Sequence, residues 1–260
     1  MTVPDAAIEA VLRRDRVVTL AGLLALTGLA WLDLARLARE ADDMARMGMA
    51  QTTPWTAADA ALAAGMWIVM MTAMMLPSAA PMILVFTAVN RKRQGAGSAR
   101  HVETGGFLLG YVAVWGLVSA LATGLEWILQ RAALLSGSLQ TSTPLLGGAI
   151  LIAAGAYQLT PLKRACLSRC QTPLGFLLSE WRAGRAGAVV MGLRHGLFCV
   201  GCCWVLMALL FVGGVMNLVW IAAIAGFVLL EKVVRPGRLV PWGAGAALIA
   251  WGGFVLAHGR

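Results

Sequence analysis

The sequence predicts an all-α protein: a polytopic bundle of transmembrane helices forming a single membrane domain over residues 1–260. Three observations predict it. Apolar residues make up 60% of the chain and charged residues only 13%, about half the usual share of charge. Apolar runs of about 20 residues, long enough to cross a bilayer as helix, recur along the chain. Lys and Arg are confined largely to alternate connecting segments. A chain with a mean hydropathy of +0.79 and so few charges cannot clothe a water-facing surface. A soluble domain, a disordered chain and a secreted disulfide scaffold are all excluded. The net charge of +9 would point to nucleic acid in a soluble protein. Here the cations are explained by topology, so the expected partner is the lipid bilayer and no nucleic acid.

Seven spans are expected, at about 17–35, 59–88, 106–128, 144–161, 188–212, 215–233 and 240–257, with six as the alternative. The first follows Arg13, Arg14 and Arg16 and runs out into Asp33, Arg36, Arg39 and Glu40. No clear small-x-small cleavage site follows it, so it reads as an uncleaved anchor and not a signal peptide. The second carries Pro77 and Pro81; the fourth is short, Gly/Ala-rich, and ends at Thr160-Pro161. The fifth and sixth are split only by Gly213-Gly214, which implies a tight helical hairpin or one broken element.

Cytoplasmic loops retain Lys and Arg, which orients the bundle. With the N-terminus inside, the inner segments hold Arg13, Arg14, Arg16, Arg91, Lys92, Arg93 and Arg100, then Lys163, Arg164, Arg169, Arg182, Arg185 and Arg194, and finally Lys232, Arg235 and Arg238. Only Arg36, Arg39, Arg46, Arg131 and Arg260 fall outside. Merging spans five and six would break this alternation. The expected location is a bacterial cytoplasmic (inner) membrane, crossed several times.

Sulfur is concentrated in two places. Eight of the 13 methionines lie between 44 and 75. Met44, Met47 and Met49 sit in the first outer loop. Met66, Met70 and Met74 recur every four residues along one helix face, with Met71 and Met75 as an adjacent row. Pro77 and Pro81 deprive the carbonyls of Ala73 and Pro77 of their helical partners, a break tolerated where it is buried in protein or lines a cavity. Methionine is also a flexible gap-filler, so packing explains any one of these residues. The whole array is different, because thioethers select soft ions such as Cu(I).

All five cysteines are expected on the inner half. Cys166 and Cys170 fall in the inner loop after span four, and Cys199, Cys202 and Cys203 towards the middle of span five. His195, Cys199, Cys203 and Met207 recur every four residues, an imidazole–thiol–thioether stripe. Five is an odd number for a disulfide framework, and a cytoplasmic placement disfavours disulfides. Thiolate and imidazole bind zinc, copper or iron–sulfur clusters, and the spacings do not name the metal. At about 1.5 Å per residue, Met74/Met75 and Cys202/Cys203 reach similar depths from opposite faces, so the two stripes can meet near the bilayer centre. Elsewhere, Glu126 and Asn217 lie near outer ends, where headgroups are within reach. Tyr157-Gln158 and Glu231-Lys232 lie near the inner face, where snorkelling and ion pairing suffice. There is no nucleotide-binding loop, no Ser/His/Asp arrangement and no intramembrane carboxylate pair, so no catalytic residue is assigned.

Three strings, Met-Trp-x2-Met-Met-x2-Met-Met-x-Pro-Ser-x2-Pro (66–81), Tyr-Gln-x-Thr-Pro-Leu-Lys-x2-Cys-Leu-x2-Cys (157–170) and Gly-x2-Cys-x-Gly-Cys-Cys-Trp-x-Leu-Met (196–207), together with Gly-Val-Met-Asn-Leu-x-Trp (214–220) and Glu231-Lys232, resemble a bacterial family of predicted metal-binding integral membrane proteins, a domain of unknown function. The resemblance spans 66–232 and implies a membrane fold and a metal, not an activity. It adds weight to Met66, Met70, Met71, Met74, Met75, Cys166, Cys170, Cys199, Cys202 and Cys203 as a set.

The expected function is binding of a soft metal, Cu(I) first and zinc or no metal as alternatives, for transport or delivery across the membrane. Met44, Met47 and Met49 would capture it, the 66–75 stripe would relay it, and the thiols with His195 would receive it. A metallochaperone or other membrane subunits are the expected protein partners. The alternatives are a structural subunit of a larger membrane complex and a membrane thiol redox protein.

Overall fold

The computed structural model describes residues 5–46, 55–94, 99–136, 139–234, 237 and 239–259. Met47 and Met49 lie outside the described residues, as does the side chain of Met44. The regular structure is helical: α1 (Asp5–Arg46), α2 (Ala57–Gln94), α3 (Ala99–Arg131), α4 (Pro144–Gln158), α5 (Pro161–Gln171), α6 (Pro173–Glu180), α7 (Gly184–Ala208), α8 (Leu210–Gly213), α9 (Leu218–Val233) and α10 (Leu239–His258). A lone antiparallel bridge, Leu135 to Thr141, is the exception among the described residues.

Among the described residues, five segments are long and apolar enough to cross a membrane: Arg16–Asp43, Ala57–Arg93, Val102–Arg131, Gly184–Gly213 and Leu239–His258. α4 and α5 together make a sixth if their 65° bend is taken within one span. The expected fourth and sixth spans are helical but short, at 15 and 16 residues. At 1.5 Å per residue they reach only about 22–24 Å.

The segment after α4 is the clearest departure from the sequence reading. Expected as a loop, it is helix. Three Thr-Pro dipeptides, at 143–144, 160–161 and 172–173, each start a helix with proline in the first turn, where its missing N–H costs nothing. Thr143 and Thr160 also cap, accepting from the N–H of Leu146 and Lys163. Thr172 does not cap; its hydroxyl donates to the Ser168 carbonyl and closes α5. Asn217 is a cap as well, accepting from the Trp220 N–H, which explains that polar residue without a functional role.

Pro77 leaves the Ala73 carbonyl without its helical partner, and α1 supplies another. The Trp31 indole N–H donates to that carbonyl at 3.1 Å, so the proline break joins two helices. α3 and α7 pack even closer. A Cβ at Gly110 would overlap the Val189 carbonyl, and one at Gly192 would overlap the Phe107 carbonyl. These glycines let two backbones touch. The core lies mainly among α2, α3, α7 and α9, with Met66, Met70, Met71, Met74, Met75 and Met82 all buried.

Candidate metal centre

Five helices converge on the sulfur-rich core. The α2 methionines enter from one side and the α7 thiols from the other. Met75 is where they touch: the Cys203 thiol points at its thioether, 3.9 Å away, and both side chains are 1% exposed. Cys199 lies one turn before Cys203 on α7. The Cys202 and Cys203 thiols donate to the Cys199 carbonyl at 3.0 and 2.9 Å, an i to i−4 or i−3 bond that leaves the sulfur lone pairs unused. All three α7 thiols are buried.

α5 packs against α7. Cys170 is buried on α5. Cys166, half-buried, sits against the α7 backbone at Gly201, where an added Cβ would stand 2.7 Å from its sulfur. Tyr157 fixes the same stretch by donating its hydroxyl to the Gly201 carbonyl. Gly201 therefore serves the approach of a thiol, beyond simple helix packing. The cysteines are free thiols, with no disulfide among them.

Sequence reasoning missed the cation in this site. Lys232 was expected to snorkel, yet it is 6% exposed and its ammonium lies 2.9 Å from the Cys199 sulfur and 3.0 Å from the Ser78 hydroxyl. Tyr111, from α3, also reaches Cys199, at 3.1 Å, while its hydroxyl donates to the Met75 carbonyl at 3.2 Å. The neighbouring carboxylate does not neutralise Lys232. Glu231 is taken by Lys163 of α5, with both of its oxygens within 3.0 Å of that ammonium and both side chains 1% exposed. A readable signal did exist: adjacent helical residues diverge by about 100°, so a buried Glu-Lys pair cannot satisfy itself and each member needs a partner elsewhere.

The remaining expectations divide. Met66, Met70, Met71 and Met74 lie in the same buried cluster. His195 is buried in an aromatic box formed by Phe107, Tyr111 and Phe176, with ring centroids 5.5–6.0 Å away. Its Nδ1 has no hydrogen-bond partner among the described residues. Glu126 does not reach headgroups: it is buried and accepts from the Trp67 indole at 2.6 Å and from Gln130. Among the described residues, no three His, Cys, Asp or Glu side chains are placed to hold a metal together. A site here has to recruit the thioethers.

A sulfur-lined centre without a hard-ligand cage is chemistry for a soft monovalent ion. The chain matches the family model PpoB2, described as copper chaperone, over residues 64–255. The chain belongs to this copper chaperone family. The match begins just before Met66 and runs through the helices of the centre, leaving out the whole of α1. No curated protein and no solved structure matches the chain. Family membership is consistent with copper, where the sequence reading left zinc open.

Proposed function

We propose that this copper chaperone is a multi-pass protein of the bacterial inner membrane that carries Cu(I) between sulfur ligands and hands it on. The alternation of basic segments supports seven crossings with the N-terminus inside; α4 and α9 then cross where the bilayer thins to meet them.

The observation that carries the proposal is the buried contact between Cys203 and Met75. Three sulfurs bonded at roughly 2.3 Å around one ion in a trigonal plane stand roughly 4.0 Å apart. The 3.9 Å between Cys203 Sγ and Met75 Sδ is already that edge, and Cys199 is the third donor. Met66, Met70, Met71 and Met74 lead to the site from the outer side, with Met44, Met47 and Met49 as the capture loop. Cys202, Cys170 and half-buried Cys166 lead away from it, and His195 waits on the same face of α7 with an unused nitrogen. Lys232 suits transfer rather than storage: its ammonium compensates an empty thiolate and opposes a bound cation, so the ion is held without being trapped.

Cu(I) titration of the detergent-purified protein against a chromogenic chelator tests the proposal. One Cu(I) per chain is expected for the wild type and none for Cys199→Ser/Cys203→Ser. Equal, near-zero copper in both would sink it.

Five free thiols on two packed helices, α5 and α7, favour one second reading, thiol redox chemistry, with Cys170 and Cys202 as the pair. Oxidation of that pair would form one S–S bond and pass two electrons and two protons to a quinone-class acceptor. Thiol trapping decides: five thiols permanently reduced under oxidant contradict the redox reading.

A further inference from the structure

A closed ring of hydrogen bonds ties Met75 on α2 to Cys199 on α7. The Lys232 ammonium donates to the Ser78 hydroxyl at 3.0 Å, and Ser78 donates in turn to the Met75 carbonyl at 2.8 Å. The Tyr111 hydroxyl stands 3.2 Å from the same carbonyl and 3.1 Å from the Cys199 sulfur. Lys232, 2.9 Å from that sulfur, closes the ring. Its members come from α2, α3, α7 and α9, and all five are buried.

Donor chemistry fixes one half of the ring. An ammonium has no lone pair, so Lys232 only donates, and Ser78 passes its own hydrogen to a carbonyl that only accepts. Tyr111 is the member with a choice. Its one hydroxyl hydrogen faces two acceptors, the Met75 carbonyl and the Cys199 sulfur, at nearly equal distances. The phenol ring is stacked on His195, with centroids 5.7 Å apart, so only the O–H bond has to turn.

We propose that Tyr111 is a positioning residue for copper exchange, its hydrogen turning to the Cys199 sulfur in the empty site and to the Met75 carbonyl in the loaded one. A bare thiolate is the stronger acceptor, because hydrogen bonds to charged groups exceed neutral ones. A sulfur that has given a lone pair to copper accepts less well, while the carbonyl is unchanged. Tyr111 therefore stabilises the empty site more than the loaded one and eases release, as hydrogen bonds behind metal ligands tune metal sites generally. The proposal rests on the copper reading above and deepens it. A tyrosine that only filled space would act in the opposite direction, since losing its hydroxyl would loosen the site and weaken binding.

Chelator competition and Raman spectroscopy of the detergent-purified full chain test it. Tyr111→Phe keeps the ring and removes only the hydroxyl. It is expected to hold Cu(I) about threefold more tightly than the wild type, the low end of one net hydrogen bond. Equal or weaker affinity overturns the proposal. A second measurement leaves position 111 untouched. The chain has two tyrosines, so in Tyr157→Phe the tyrosine Raman doublet, whose intensity ratio reports hydroxyl donation, comes from Tyr111 alone. Cu(I) loading is expected to change that ratio, and a ratio indifferent to copper overturns the proposal even if Tyr111→Phe fails to fold. A wild type that takes up no copper overturns the copper reading itself. A wild type that binds copper beside a weaker-binding Tyr111→Phe overturns only the part given to the tyrosine.

Discussion

Two helix contacts in this molecule solve the same packing problem in opposite ways. α4 and α10 meet through glycine: a Cβ at Gly252 would stand 2.8 Å from the Gly148 carbonyl, and one at Gly245 would stand 2.9 Å from the Gly155 carbonyl. Backbone lies on backbone, and no exchangeable group is left between them. α2, α7 and α9 instead meet through Met75, Cys203, Cys199, Ser78 and Lys232, long or polarisable side chains held by weak bonds. The first contact can only be kept or broken. The second can swap one partner for another, which is what carrying an ion requires.

The sharpest way to break the comparison is to interchange the effects. Gly252→Leu forces a side chain into backbone, and overpacking of this kind costs about 1–3 kcal/mol or more. A lower thermal midpoint in detergent is expected, with copper stoichiometry unchanged in whatever fraction folds. Met75→Leu should do the reverse. It conserves volume, so the midpoint stays close to wild type, while losing one sulfur weakens Cu(I) affinity about tenfold, or about 1.4 kcal/mol, by chelator competition. Lys232→Met, the smallest effect, removes the charge that opposes the bound ion. Cu(I) release to an external thiol should slow about threefold, or less than 1 kcal/mol, in stopped-flow transfer.

These expectations also mark how much the sequence revealed. The helical class, the rows on α2 and α7, and a contact between them were legible, because periodicity fixes which residues share a face. The α5 helix was not, because its polar composition reads as a loop until Thr160-Pro161 is seen as a start signal. Lys232 was missed for a different reason. Whether a terminal lysine snorkels outward or turns in depends on what the neighbouring helices offer, and here Ser78 and Cys199 come from α2 and α7. Local sequence holds no record of that. The Glu126–Trp67 bond, linking α3 to α2 over 59 residues, was hidden in the same way.

The central claim is that Cu(I) sits between Met75 and the Cys199/Cys203 pair. X-ray absorption at the copper edge of the Cu(I)-loaded protein, wild type beside Met75→Leu, tests it most directly. The account predicts three sulfur neighbours at roughly 2.3 Å in the wild type and two in the variant, with no nitrogen or oxygen in either. A first shell that is unchanged by Met75→Leu, or that contains nitrogen or oxygen, would contradict it.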